Sequence, residues 1–213
     1  MSVPVPTMDS AEPAGRSSIL DCACELFAAN GFAGTSMRSL ARAAKTSQAL
    51  IHHHFGTKSA LYRAVRGRLM DRLADAEVLT PTHVGADLDP TAQLAGGMAR
   101  YADFLEANPE FLRLATWARL EGDNEPWANY EALLAPMENA LNALKEAGML
   151  RADLDVSLHM AMVGGIVEHW VAHRAMHVAS FAPEEGLSEL TQRYFAQAAS
   201  VIAHGASARP EPS

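Results

Sequence analysis

The sequence predicts an all-α fold: an N-terminal unit of three helices, a linking fourth helix, and a larger helical domain after it. Three observations predict this. Apolar residues recur every three to four positions through most of the 213 residues, which is the period of one helix face. No segment sustains the alternation of apolar and polar residues that a half-buried strand needs, and no Asn-Gly pair joins two β-branched runs. Capping residues and glycine stops recur at the spacing of short helices. With 49% apolar and 20% charged residues, the chain can bury a full core without cross-links.

The elements follow in order. The arm 1–15 carries Pro4, Pro6 and Pro13 and no periodic pattern, so it is read as disordered. It has neither the basic patch nor the apolar run of a secretory signal. A helix over 17–30 repeats Ile19, Ala23, Leu26 and Phe27 on one side and stops at Asn30-Gly31. Thr35 or Ser36 caps a short helix reaching 44, and Ser47 caps a third reaching 55. Gly56 stops that one, and Thr57 caps a fourth that continues to about 78. A Pro- and Asp-bearing loop covers 80–90. Helices are then expected over 91–107, 109–122, 128–148, 157–178 and 186–205, with a disordered tail over 206–213. The domain division is 16–56 for the small unit and 57–205 for the linking helix with the larger domain.

The net charge of −8 speaks against a polyanionic partner until its distribution is read. From Arg16 to Arg72 nine Lys and Arg stand against three acids, giving +6; from Leu73 onward eight bases stand against twenty acids, giving −12. One end of the chain attracts a polyanion while the other repels it. Two short helices across a tight turn, inside the basic end, suggest a helix-turn-helix. The second helix of such a pair fits the major groove, where base edges present distinct donor and acceptor patterns. Caps, backbone N–H groups and basic side chains hold the phosphates.

These residues also carry a family resemblance. The run from Ile19 to Phe32, then Gly34-Thr35-Ser36-Met37-Arg38-Ser39-Leu40-Ala41, then Ser47 to Phe55, then Lys58-Ser59-Ala60-Leu61, closely resembles the DNA-binding end of tetracycline-repressor (TetR) family regulators. The resemblance implies a homodimeric, cytoplasmic transcriptional repressor with no enzymatic activity, no cofactor and no membrane partner. Each subunit would place its third helix in one half-site of palindromic double-stranded operator DNA, and a small-molecule effector in the second domain would release it. Position by position, it implies phosphate contacts from Thr35, Ser36 and Arg38. It assigns groove contacts to Ser47, Gln48, Ala49, His52 and His53, and a further phosphate contact to Lys58. Two residues depart from the family pattern. Lys45 stands where a turn glycine is usual, and its charge can add a phosphate contact; His52 stands where tyrosine is usual.

Other features have plainer readings. Phe27, Phe32, Leu40, Ile51, Phe55 and Leu61 are expected in the core of the small domain. The tract His52-His53-His54 cannot converge on one ion, because successive helical residues point about 100° apart. Cys22 and Cys24 face nearly opposite ways on a helix, form no disulfide or zinc pattern, and suit a reducing compartment.

In the acidic part, the helix over 157–178 is apolar almost all round and must be covered on several sides. Gly164-Gly165 would let a second helix approach closely. The last two helices are therefore expected to build a dimer interface from Val163, Val167, Trp170, Leu190, Tyr194, Ala198 and Val201; the alternative is a large monomer core. An apolar effector pocket is expected among the middle helices, with Phe104, Trp117, Leu120, Met137, Leu141, Met162, Ile166 and His169 as candidate lining. His169, His173 and His177 sit four apart on one face, so a metal-sensing regulator is an alternative, with Glu168 or His159 assisting. An all-α enzyme using these histidines is a further alternative, but no nucleophile, carboxylate pair or cofactor fingerprint accompanies them.

Overall fold

The computed structural model describes residues 15–79, 89–181, 184 and 186–207. The arm 1–15, apart from Gly15, lies outside them, as do 208–213 of the tail. Among the described residues the chain forms nine helices and no named strand: α1 (Arg16–Asn30), α2 (Met37–Ala43), α3 (Gln48–Phe55), α4 (Lys58–Asp75), α5 (Pro90–Ala107), α6 (Pro109–Glu121), α7 (Tyr130–Glu146), α8 (Val156–Phe181) and α9 (Leu187–Ala206). The all-α reading is correct.

The caps decide where the short helices begin. Ser36 rather than Thr35 caps α2: its Oγ accepts the Ser39 N–H at 3.0 Å, and Ser39 Oγ accepts the Ser36 N–H in return at 3.0 Å. Ser47 Oγ accepts from Leu50 N–H at 3.1 Å to start α3, and Thr57 Oγ1 from Ala60 N–H at 3.0 Å to start α4. Each cap contributes about 1 kcal/mol. α4 ends at Asp75, short of 78, where the chain turns through Glu77 in the left-handed region at φ 51°. α9 runs on to Ala206, and the Arg151 N–H donates to the Ala206 carbonyl at 2.9 Å, so the first residues of the expected tail belong to the fold.

One continuous core joins the two parts. Ile19, Ala23, Phe27, Leu40, Ile51 and Leu61 fill the small domain, as the periodicity predicts, and α4 carries the core onward through Val65, Leu69 and Leu73. In the larger domain α5 packs between α8 and α9. This arrangement corrects three interface expectations. Val167 is 0% exposed, Trp170 2% and Leu190 7%, all covered by their own chain. The Trp170 ring stacks on Tyr194 at 4.1 Å, and its indole N–H donates to Thr191 Oγ1 at 3.2 Å. A helix apolar all round gives no sequence signal for which side its own domain takes; here α5 and α9 take the side of Val167 and Trp170. The outward side of α8 shows Leu158, Met162 and Met176, and α9 shows Val201, all exposed. Val163, Tyr194 and Ala198 are half-buried between the two.

α7 is different. Its apolar residues line one side, yet none of its residues is buried. An amphipathic helix normally closes its apolar face against a core; α7 stands over a partly open one.

Candidate nucleic-acid interface and effector cavity

The third helix presents one face outward. Ile51 and Phe55 anchor it in the core, and Gln48, Ala49, His52 and His53 share the exposed side with the cap Ser47. Positions 48, 49, 52 and 53 lie on one face because residues four apart stack. The His52 Nδ1–H donates to the Gly56 carbonyl at 2.5 Å, which fixes the ring's orientation at the end of α3. His54 leans on Phe55, with ring centroids 6.1 Å apart.

The +6 of the basic segment is not all available to a partner. Arg66 is 2% exposed and binds Asp123 at 2.6 Å and the Glu125 carbonyl. Arg68 pairs with Asp21 at 3.0 Å, and Arg72 with Glu110 at 2.7 Å. Arg16 lies over the Phe55 ring at 5.1 Å. Among the described residues, Arg38, Arg42, Lys45 and Arg63 are exposed and engaged in no ion pair. Arg42 and Arg63 were not singled out from sequence. Charge alone does not separate them from Arg66, since only tertiary contacts decide which cations are used internally.

Two expected phosphate contacts need correction. Thr35 is 2% exposed, and its hydroxyl donates inward to the Gly31 carbonyl at 2.8 Å. Lys58 is half-buried; its ammonium lies 4.1 Å from the Phe32 ring centroid and donates to the Phe32 and Thr35 carbonyls, both at 2.9 Å. Both residues fix the turn between α1 and α2. Ser36 and Arg38 remain exposed at the start of α2. Lys45 occupies the turn between α2 and α3 with φ 50°, the left-handed conformation for which glycine is the usual residue.

The larger domain grips that same α1–α2 turn. The Arg113 Nε–H and the Trp117 indole N–H both donate to the Ala28 carbonyl, at 2.9 and 3.2 Å. Glu121 accepts the Phe32 and Ala33 N–H groups. Trp117 thus packs at the domain junction, outside the lining of the cavity between α4 and α7. Leu120 and Met162 are also corrected, at 65% and 58% exposed, and His169 is exposed on α8. Phe104 is buried in core, while Met137, Leu141 and Ile166 are half-buried.

A cavity of about 350 Å³ does lie between α4 and α7. Met70, Leu73, Leu133 and Pro136 form apolar walls, with Asp71 and Glu77 among the lining residues; none of the eight sequence candidates lines it. The signal in the sequence that could have found it is the apolar face of α7.

The histidine row packs as rings: His169 and His173 stack at 4.4 Å, and His177 stacks near Trp170 at 5.7 Å. Among the described residues, no group of three or more His, Cys, Asp or Glu could hold a metal ion. Glu168 is engaged by the Tyr101 hydroxyl, which donates at 2.9 Å, and burial raises its pKa. His159 is buried, and that burial lowers its pKa. No helix among the described residues is long and apolar enough to cross a membrane.

A capped helix-turn-helix with an exposed second helix, joined to a helical domain with its own cavity, defines a DNA-binding transcriptional regulator. Residues 19–65 match the model of the bacterial regulatory proteins of the tetR family, and 93–200 match the tetracyclin repressor-like C-terminal domain. The chain belongs to the TetR family, whose members are DNA-binding regulators and not enzymes. It is 30% identical over 108 residues to the HTH-type transcriptional repressor SCO4008 of Streptomyces coelicolor, covering 51% of each chain. It is 28% identical over 184 residues to the HTH-type transcriptional repressor AcnR of Corynebacterium efficiens, covering 82% of this chain and 87% of AcnR. The match thus spans about half the length of SCO4008 and most of AcnR. The crystal structure of SCO4942 from Streptomyces coelicolor superposes with a TM-score of 0.64 at 27% identity, covering 92% of this chain and 99% of that one.

Proposed function

We propose that this regulator is a cytoplasmic, ligand-responsive repressor that binds palindromic operator DNA as a homodimer and is released by a small effector. The observation that carries the reading is the exposed face of α3 (Gln48, Ala49, His52, His53) at the end of the chain that also carries Arg38, Arg42, Lys45 and Arg63, all exposed and in no ion pair among the described residues. Base edges are read from α3, and the four cations with the Ser36 and Ser47 caps hold phosphates. Residues 16–56 act as the DNA-binding domain and 57–205 as the linking, sensing and dimerising part. The outward side of α8, with Leu158, Met162 and Met176 around the uncrowded Gly164 and Gly165, supports the two-fold contact with α9 of a second copy. The relatives named as repressors support the direction of control.

Selection of bound fragments from a random duplex pool tests this directly. A palindromic motif is expected, with an affinity that falls steeply with salt. Arg38→Ala and Arg42→Ala weaken all sequences alike, whereas Gln48→Ala and His53→Ala change the preferred bases. A protein that ignores every duplex at low salt overturns the reading. Light scattering tests the dimer: Met162→Glu is expected to give a monomer mass where the unmodified chain gives twice that.

A further inference from the structure

We propose that the cavity between α4 and α7 takes an amphipathic organic cation, an apolar body bearing one ammonium or amidinium group; this rests on reading the chain as ligand-responsive. The walls supply the first half of the argument. Met70 and Leu73 from α4 face Leu133 and Pro136 from α7 across about 350 Å³, the small end of the range for small-molecule sites. The α7 side of this space belongs to a helix with no buried residue of its own, so apolar surface there remains for an apolar guest to cover.

The charges supply the second half. Among the described residues the lining holds two carboxylates, Asp71 and Glu77, and no Lys, Arg or His. Among the described residues neither makes an ion pair; Asp71 is met only by the Asn129 amide at 3.5 Å. The adjacent Arg72 is turned to Glu110 and Asp21. Both carboxylates are exposed at the mouth of the site, so an anion entering meets two like charges that no cation among the described residues offsets. A hydrated metal ion finds carboxylates but no cage of oxygens, and its water would sit against hydrocarbon. A cation with an apolar body satisfies both parts at once.

The backbone gives the site a second distinction. Only three non-glycine residues among those described adopt positive φ, and two of them, Glu77 at 51° and Asn129 at 65°, line this cavity. Such conformations persist where the surroundings hold them, and they gather at ligand and switch sites. Asn129 also begins the link to the DNA-binding end. It contacts Asp71, and the segment before it is tied to Arg66 of α4 through Asp123 and Glu125.

Isothermal titration of the full chain with phenylbutylamine, phenylbutanol and phenylbutyrate tests the proposal, because the three share an apolar body and differ in charge. The amine is expected to bind about tenfold more tightly than the alcohol, the most that two exposed carboxylates at the rim of an apolar space supply together, and the acid more weakly than either. Asp71→Asn and Glu77→Gln each bring the amine about threefold toward the alcohol. Leu133→Trp fills the space and removes binding of the amine and the alcohol. The proposal is overturned if none of the three binds, if the alcohol or the acid matches the amine, if both charge variants bind the amine unchanged, or if Leu133→Trp does. DNA binding by the unliganded chain is measured alongside. If it persists while the amine fails, this inference falls alone; if it is absent, the regulator reading falls whatever the amine does.

Discussion

Glu121 Oε1, at the end of α6, lies 3.0 Å from the backbone nitrogen of Ala33, 88 residues earlier in the chain. The other carboxylate oxygen accepts the Phe32 N–H at 3.2 Å. The turn leading into α2 is thus held by the larger domain. Gly31 makes the approach possible: a Cβ there would stand 2.5 Å from the Glu121 carboxylate and 2.8 Å from the Trp117 ring, at a φ of 73°. Glu121→Gln is expected to lower stability by about 1 kcal/mol and to speed amide exchange at Phe32 and Ala33. Gly31→Ala is expected to cost about 2 kcal/mol or more, from the left-handed backbone and the clash together. Unchanged exchange at those two amides in Glu121→Gln would remove the clasp from the account.

Arg66 and Asp123 form a largely buried pair between the linking helix α4 and the segment after α6, with side chains 3% and 26% exposed. Breaking a buried pair on one side leaves an uncompensated charge. Asp123→Asn is therefore expected to destabilise by about 3 kcal/mol, readable as a lowered urea midpoint. Arg66→Met combined with Asp123→Asn is expected to recover much of that loss, because neither charge remains buried alone. A double variant as unstable as the sum of its singles contradicts this.

Lys58 is expected to contribute through the turn more than through phosphate. Its ammonium is held by the Phe32 and Thr35 carbonyls and by the Phe32 ring. Lys58→Met is expected to lower the melting temperature by a few degrees, about 1 kcal/mol, while leaving the salt dependence of DNA binding as it was. Arg38→Ala should do the reverse, reducing the slope of log K against log salt by about 0.9 with little change in melting. Equal slopes for the two variants would return Lys58 to the phosphate contacts.

Lys45 carries an unfavourable backbone conformation at φ 50° in the turn before α3. Lys45→Gly relieves it but adds chain entropy to the unfolded state, so a net gain of roughly 0.5 kcal/mol is expected. The same change removes an exposed cation and should lower the salt slope by one phosphate's worth. Calorimetry and a salt titration read the two effects separately.

Cys24 has its pKa pushed up to about 11, first by burial and then by the nearby Glu110. Burial also raises the Cys22 thiol. The thiolate is the reactive form, and an ordinary cysteine has a pKa near 8.5, so Cys24 should alkylate about two orders of magnitude more slowly than free cysteine at neutral pH. Mass spectrometry after timed iodoacetamide exposure reads this. Rapid labelling of Cys24 in the folded chain would contradict it.

Particular residues show what could be read from the sequence and what could not. Ser47, Gly56 and Thr57 declared both ends of α3 and the start of α4 because capping is local chemistry, legible within four residues. Thr35 and Ser36 are adjacent and chemically alike, and only the tertiary turn makes one an inward donor and the other a cap. Arg42 and Arg66 look equivalent as letters, yet Asp123 lies 57 residues beyond Arg66 and takes it out of solution. α8 defeated the choice of face because periodicity carries no direction when every side is apolar; Val167 went inward and Met162 outward. The exposed face of α3 was legible, since Ile51 and Phe55 left Gln48 and His53 only one place to go.

The unsealed underside of α7 has a consequence for how such a chain can change over generations. Replacements at Ala132 or Leu133, which line the cavity from a helix with no buried residue, disturb no tightly fitted jigsaw, so they cost the fold little while reshaping the space. The head that touches DNA has no comparable slack, with Phe27, Leu40 and Ile51 almost wholly enclosed. If the chain is ligand-responsive as proposed, a lineage of these proteins is free to trade one chemical cue for another while continuing to answer at the same genetic address.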